Sequence, residues 1–168
     1  MSEVIKEAIN VLKENDRGGY TVPTNRLYPF QWNWDSVFTA MGLWHFNKWR
    51  AWLEIISLLD GQWENGMIPH IIFRQNDPDY FPGPDEWASN NEPPTSCLTQ
   101  PPVLSSIIWQ MVKKGTPYDS KKAKEIFDPN VLSIDYDDVI VDPALIENML
   151  VCLFVSAQQS KLSLHFYF

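Results

Sequence analysis

Two cysteines, seven glycines and a charged fraction of only 20% in 168 residues mark what this sequence has little of. Cys97 and Cys152 stand far apart and without metal-ligand spacing. Neither a disulfide framework nor a metal centre is therefore expected, and a reducing, cytoplasmic setting is the simplest reading. The longest apolar run, Met149 to Val155, falls well short of the roughly 20 residues that cross a bilayer, so no membrane segment is expected. The amino end carries Glu3, Lys6 and Glu7 on an amphipathic pattern, not a basic stretch followed by an apolar one, and is not read as a signal peptide. Basic side chains are the minority: 13 Lys and Arg face 21 Asp and Glu, a net charge of −8 that repels a phosphate backbone and disfavours nucleic-acid partners.

What the chain does have is 45% hydrophobic residues, enough to exclude a disordered chain, and an excess of aromatics. It holds eight Trp, nine Phe and six Tyr, and every Trp lies between Trp32 and Trp109. Either a large apolar core or a site for a flat or ring-shaped ligand produces such density.

Apolar residues at three- and four-residue intervals predict the helices. Val4, Ala8 or Ile9, and Leu12 mark the first, with Gly18 and Gly19 ending the pattern. Trp34-Asp35-Ser36 suits a helix start, followed by Val37, Ala40, Met41, Trp44 and His45. Asn47 breaks that helix, and Trp49, Trp52, Leu53, Ile56 and Leu59 predict its partner up to Gly61, the two forming a helical hairpin. Residues 74 to 94 are rich in Pro, Asp, Asn and aromatics without a period and read as a long irregular loop whose Tyr80, Phe81 and Trp87 would keep it ordered over a site. Pro101-Pro102 should open a helix through Val103, Ile107, Ile108 and Met111 to Gly115. A weaker helix is read from Asp119 to Phe127, and a last one from Asp142-Pro143 through Leu145, Met149 and Leu153. No alternating segment is longer than Val139 to Val141, so the fold class is all-α.

Two clusters flank the hairpin at one end: Tyr28-Pro29-Phe30-Gln31-Trp32-Asn33-Trp34-Asp35 entering it, and Gly61-Gln62-Trp63-Glu64-Asn65-Gly66-Met67-Ile68-Pro69-His70 leaving it. Indoles, an amide, a carboxylate and an imidazole together suit a sugar, whose C–H faces stack on rings and whose hydroxyls need directional partners. The residues taken alone leave alternatives open: Trp32 and Trp34 as core, Asp35 as a helix cap, His70 as a satisfied core histidine. Glu64, Asp77 and Asp79 read as solvated loop acids, and Cys97 as a small apolar residue.

These two clusters, followed by Asp79-Tyr80-Phe81-Pro82-Gly83-Pro84 and Thr99-Gln100-Pro101-Pro102, resemble successive blocks of glycoside hydrolase family 63, most of all its mannosylglycerate and glucosylglycerate hydrolases. The resemblance implies a partial (α/α)6 toroid, a ring of helical hairpins with the sugar site at one mouth. At 168 residues the chain is too short to close such a ring, which needs about 400 residues at 10 to 15 per helix with loops. The resemblance makes residues 1–168 a single partial glycoside hydrolase domain, with family-like blocks over 1–115 and a divergent or gapped remainder over 116–168. It also implies that Tyr28, Gln31, Trp32, Trp34, Asp35, His70 and Gln100 bind a small carbohydrate or glycosylglycerate, with Tyr80 on a mobile loop closing over the aglycone.

Inverting hydrolysis, the family's reaction, needs two carboxyl groups roughly 6.5 to 9.5 Å apart across the anomeric carbon. The family's acid lies in a block resembling Trp-Glu-Ser-Gly-x-Asp-Asn-Ser-Pro, which is absent here, and its base lies further downstream than this sequence extends. The spacing of Asp135, Asp137 and Asp138 does not place them opposite Asp35, so no catalytic residue is assigned. The expectation is a glycosidase-like chain that is catalytically incomplete as it stands, with a noncatalytic carbohydrate-binding or interaction fragment as the alternative. Apolar helix faces left without neighbours would favour oligomers.

Overall fold

The structure is a computed structural model that describes residues 2–24 and 27–127. The elements run α1 (Glu3–Glu14), β1 (Gln31–Trp32), α2 (Asn33–Trp44), α3 (Lys48–Leu59), β2 (Ile71–Ile72), α4 (Pro84–Trp87), α5 (Leu104–Lys113) and α6 (Pro117–Phe127). The helix read from Asp142, the segment Val139 to Val141, the acids at 135, 137 and 138, and Cys152 lie outside the described residues.

The α2–α3 hairpin forms the body of the fold. Val37, Ala40 and Leu43 of α2 pack against Ala51, Trp52, Ile55 and Leu58 of α3, and Leu104, Ile107, Ile108 and Met111 of α5 close the core with Ala123 of α6. Asn47 does more than interrupt: its side-chain oxygen accepts the Arg50 amide at 3.1 Å and caps α3. Helix α5 starts at Leu104, so Pro101 and Pro102 precede its first turn rather than occupying it. Its neighbour α6 starts two residues before Asp119, at Pro117.

That shift explains why α6 docks. Asp119 has a fully buried side chain and accepts the indole N–H groups of Trp44 (2.7 Å) and Trp52 (3.0 Å), the Lys48 ammonium (2.6 Å) and both the amide and hydroxyl of Thr116 (2.8 and 2.9 Å). Desolvation pushes its carboxyl up, yet Lys48, the Thr116 amide and the two indoles together outweigh burial and hold it at about 2. A buried ion with five hydrogen bonds thus joins α6 to both arms of the hairpin.

Three expectations are corrected. Trp49 is 62% exposed and takes no part in helix packing, unlike Trp44 and Trp52. The apolar stripe of α1 is not buried either: among its residues only Leu12 reaches the core. The segment 74–94 holds one helical turn, α4, opened by Pro84.

The chain also contains a small ladder that positions the site. β1 and β2 pair antiparallel, Gln31 opposite Ile72 and Trp32 opposite Ile71. Beyond them Ile72 bridges Thr95, the Ser96 amide reaches Ile71 O at 3.1 Å, and the His70 amide reaches Leu98 O at 2.7 Å. Three segments far apart in sequence, around residues 31, 71 and 96, are thereby laid side by side. Gly61 makes this possible: a Cβ there would overlap the Ile72 side chain.

Candidate sugar-binding site

Strand alternation sends neighbouring side chains to opposite faces, and in β1 it separates two residues expected to act together. Trp32 faces a second apolar cluster with Phe30, Ile71, Phe73, Tyr80 and Trp87. Gln31 faces the helices instead and is fully buried. Its amide nitrogen donates to Ser36 Oγ at 3.2 Å, and its oxygen accepts Arg74 Nε at 3.0 Å and Ser57 Oγ at 3.3 Å. In this structure Gln31 is thus part of the buried scaffold, with its oxygen bonded to Arg74 and Ser57 and its nitrogen to Ser36.

On the Trp32 face the rings form a chain of edge-to-face contacts. Tyr28 meets Trp32 at 5.3 Å between centroids, Trp32 meets His70 at 5.1 Å, and His70 meets Trp87 at 5.5 Å. Tyr80 packs edge-to-face on Phe30 at 4.9 Å in the same apolar cluster, where burial, and then the neighbouring Tyr28, raises its phenol pKa. Trp87 was legible only as a loop aromatic. Its carbonyl accepts the Cys97 thiol at 3.1 Å, which fixes the turn of α4 against the 95–98 segment.

This chain of rings carries most of the unpaired buried nitrogens among the described residues. Among the described residues four buried side-chain nitrogens lack a partner, and three of them, Trp32 Nε1, His70 Nδ1 and Trp87 Nε1, belong to it. Leaving a buried polar group unpaired costs about 1–3 kcal/mol, so three on neighbouring rings are a local concentration of unspent hydrogen-bonding capacity. The reading of His70 as a satisfied core histidine is thereby overturned. Burial also drives its imidazole down to about 4, so the ring is neutral at pH 7, with one nitrogen a donor and the other an acceptor.

Asp35 is not a cap. Helix α2 begins at Asn33, Trp32 occupies the cap position without a side-chain bond, and Asp35 is the third helical residue. There its carboxylate lies near the positive end of the helix dipole. Burial nevertheless raises its pKa, against its own amide and the Trp34 indole, which draw it down. Trp34 is 40% exposed, and its amide donates to Gln100 Oε1 at 2.9 Å, which brings the 99–102 segment to the start of α2 and leaves the Gln100 NH2 as a donor. Ring contacts thus link Tyr28, Trp32, His70 and Trp87, and Tyr80 packs with Trp32 and Trp87 on the Phe30 cluster. Trp34, Asp35 and Gln100 form the adjoining rim. Among the described residues no group of three metal-ligating side chains occurs, and no helix is long and apolar enough to cross a membrane.

Comparison with known proteins now decides the family. The model of the mannosylglycerate hydrolase MGH1-like glycoside hydrolase domain matches residues 28–135. The chain belongs to this family. Mannosylglycerate hydrolase MGH1 of Selaginella moellendorffii is 42% identical over 115 residues, 68% of this chain and 24% of the relative. Glucosylglycerate hydrolase of Mycolicibacterium hassiacum is 43% identical over 119 residues, 67% of this chain and 27% of the relative. Family 63 mannosylglycerate hydrolase from Thermus thermophilus, solved with Tris and D-glycerate, superposes with a TM-score of 0.69 at 42% identity, covering 74% of this chain and 30% of that one. The same enzyme is also solved with glucose, at a TM-score of 0.62, 40% identity, and 75% and 31% coverage. The chain therefore spans about 24–31% of the length of the relatives it matches, and its mostly helical fold fits part of a helical toroid.

Proposed function

We propose that this chain supplies the sugar-holding wall of a site for a small glycoside of the glycosylglycerate class. The observation that carries the reading is the trio of unpaired buried nitrogens on Trp32, His70 and Trp87. Two indole N–H donors beside a neutral imidazole suit a ligand that presents several hydroxyls, each able to donate and accept. Indole faces offer the ring a stacking surface, and the raised carboxyl of Asp35 supplies an acceptor at the rim. All three nitrogens are closed off from solvent, so contact with a ligand requires the rings around them to move. The relatives' ligands support the same class: the Thermus enzyme has been solved with D-glycerate and with glucose.

Hydrolysis asks for more. A second carboxyl group must stand across the anomeric carbon, and the block that carries the family's acid is absent from these 168 residues. The chain's share of the reaction is to bind and orient the sugar, in a setting read as cytoplasmic from composition. Release of free hexose from mannosylglycerate or glucosylglycerate by the purified chain is expected to be nil. Turnover abolished by Asp35→Ala would contradict this division of labour. The outward faces of Trp49 and Ile56 on α3 and Phe38 on α2 are offered as surfaces for association between copies.

A further inference from the structure

We propose that Gln31 and Ser36 form a side-chain clip that sets the orientation of Trp32, Trp34 and Asp35, Gln31 acting on a ligand only through them. The inference rests on the sugar-binding reading of those three residues and goes beyond it by separating what holds the site from what touches the ligand. Gln31 immediately precedes, and Ser36 immediately follows, the four residues at which β1 turns into α2. Their 3.2 Å bond closes that stretch into a loop, with Trp32, Trp34 and Asp35 inside it.

The direction of the bond follows from its other partners. A guanidinium only donates, so the Gln31 amide must turn its oxygen toward Arg74 Nε (3.0 Å), where it also accepts Ser57 Oγ (3.3 Å). Its NH2 is then left for Ser36. The Ser36 hydroxyl accepts from Gln31 beside the buried pair of Glu54 and Arg50 (2.9 Å), where Glu54 also accepts the Thr21 amide (3.1 Å) and hydroxyl (2.9 Å). A polar chain, Arg74–Gln31–Ser36, therefore runs beneath the strand-to-helix turn, and the Ser57 hydroxyl on Gln31 fastens it to α3.

Other ties at this turn hold the backbone to different neighbours. The Asn33 amide reaches His70 O at 3.0 Å, its side chain reaches Ile68 O at 3.4 Å, and Gln100 takes the Trp34 amide. With a ladder two residues long and no side-chain cap on α2, the clip is the link between this turn and the helix behind it. Arg74 extends it: the same guanidinium donates to Asp60 (2.8 Å) and to the Ser57 carbonyl, so the base of the 74–94 segment is fastened at the same point.

The test uses the full chain with Ser36→Ala, Gln31→Glu, the double variant, and Leu58→Ala as a purely structural control in the core. Gln31→Glu keeps the acceptor facing Arg74 but cannot donate to Ser36. Two readouts are taken. One is the NMR shift of the His70 ring protons, which lie in the ring currents of Trp32 and Trp87. The other is mannosylglycerate affinity by calorimetry. Ser36→Ala and Gln31→Glu are each expected to move the His70 signals and to weaken binding about two- to tenfold, the worth of one hydrogen bond. The double variant should be no worse than either single one. Leu58→Ala should lower the melting temperature while leaving signals and affinity as in the unaltered chain. Unmoved His70 signals in Ser36→Ala, or the same displacement in Leu58→Ala, would overturn the clip. Absence of binding by the unaltered chain would instead defeat the sugar reading, and the His70 signals would still decide the clip.

Discussion

Acidification isolates the energetic signature of His70. Burial alone depresses its imidazole from 6.5 to about 4, since neither indole in ring contact with it, Trp32 or Trp87, carries charge. The folded chain thus resists a proton that the unfolded chain accepts near pH 6.5. Stability from neutral His70 is complete above that pH and is lost as pH falls toward 4. At about 1.4 kcal/mol per unit, the loss at pH 4.5 is at most about 2.5 kcal/mol, less as far as solvent reaches the ring. For a chain of this size that lowers the melting temperature by about 5–10 °C. The comparison is with His70→Gln, which cannot titrate. Asp35 and Glu54, whose pKa values are raised by burial, and Asp16 and Asp119, whose values are lowered, titrate in both proteins and cancel in the difference. Urea midpoints of the two proteins should therefore diverge between pH 7 and 4.5, with the NMR titration of His70 centred near 4. Parallel profiles, or a midpoint at 6 or above, would refute the claim that this ring is buried and uncompensated.

Other perturbations follow from the same accounting. Asp119→Asn removes the anion that Lys48 and two indoles surround, and should cost about 3–5 kcal/mol in denaturant unfolding. In the unaltered chain the Asp119 contribution is present above about pH 4 and is lost as pH falls toward 2. Gly115→Ala drives a Cβ into the Met111 carbonyl oxygen and the Asp119 side chain, and should lower stability by about 1–3 kcal/mol with the secondary structure retained by circular dichroism. Asp35→Asn works in the opposite direction: it relieves a carboxylate whose pKa burial has raised, so the melting temperature at pH 7 should rise while sugar binding falls. A lower melting temperature for that variant would show that Asp35 is structural.

The helical body was readable because its signals are local. Val37, Ala40 and Leu43, and then Ala51, Ile55 and Leu58, repeat with the period of a helix, and Asn47 stands at the break. Periodicity could not assign Trp49, since α3 carries apolar residues on two faces and only the one containing Trp52 meets α2 and α6. The two-residue ladder is too short for alternation to show, yet it decides that Trp32 faces the site while Gln31 faces away. Trp87 and Asp119 were missed for a common reason. Their importance lies in partners 17 residues away or more, His70 for one and Trp44, Lys48 and Trp52 for the other. No local pattern encodes those meetings. Of the residues in the family blocks, Tyr28, Trp32 and His70 meet through ring contacts, Tyr80 packs on Phe30 in the same cluster, and Gln100 holds the Trp34 amide at the start of α2.

The central claim is that the unpaired nitrogens of Trp32, His70 and Trp87 await the hydroxyls of a sugar. Calorimetric titration of the full chain with mannosylglycerate and with glucosylglycerate tests it most directly. The account predicts saturable heat at millimolar ligand or below, lost in Trp32→Ala. No heat at millimolar ligand from a chain whose circular dichroism shows it folded would contradict it.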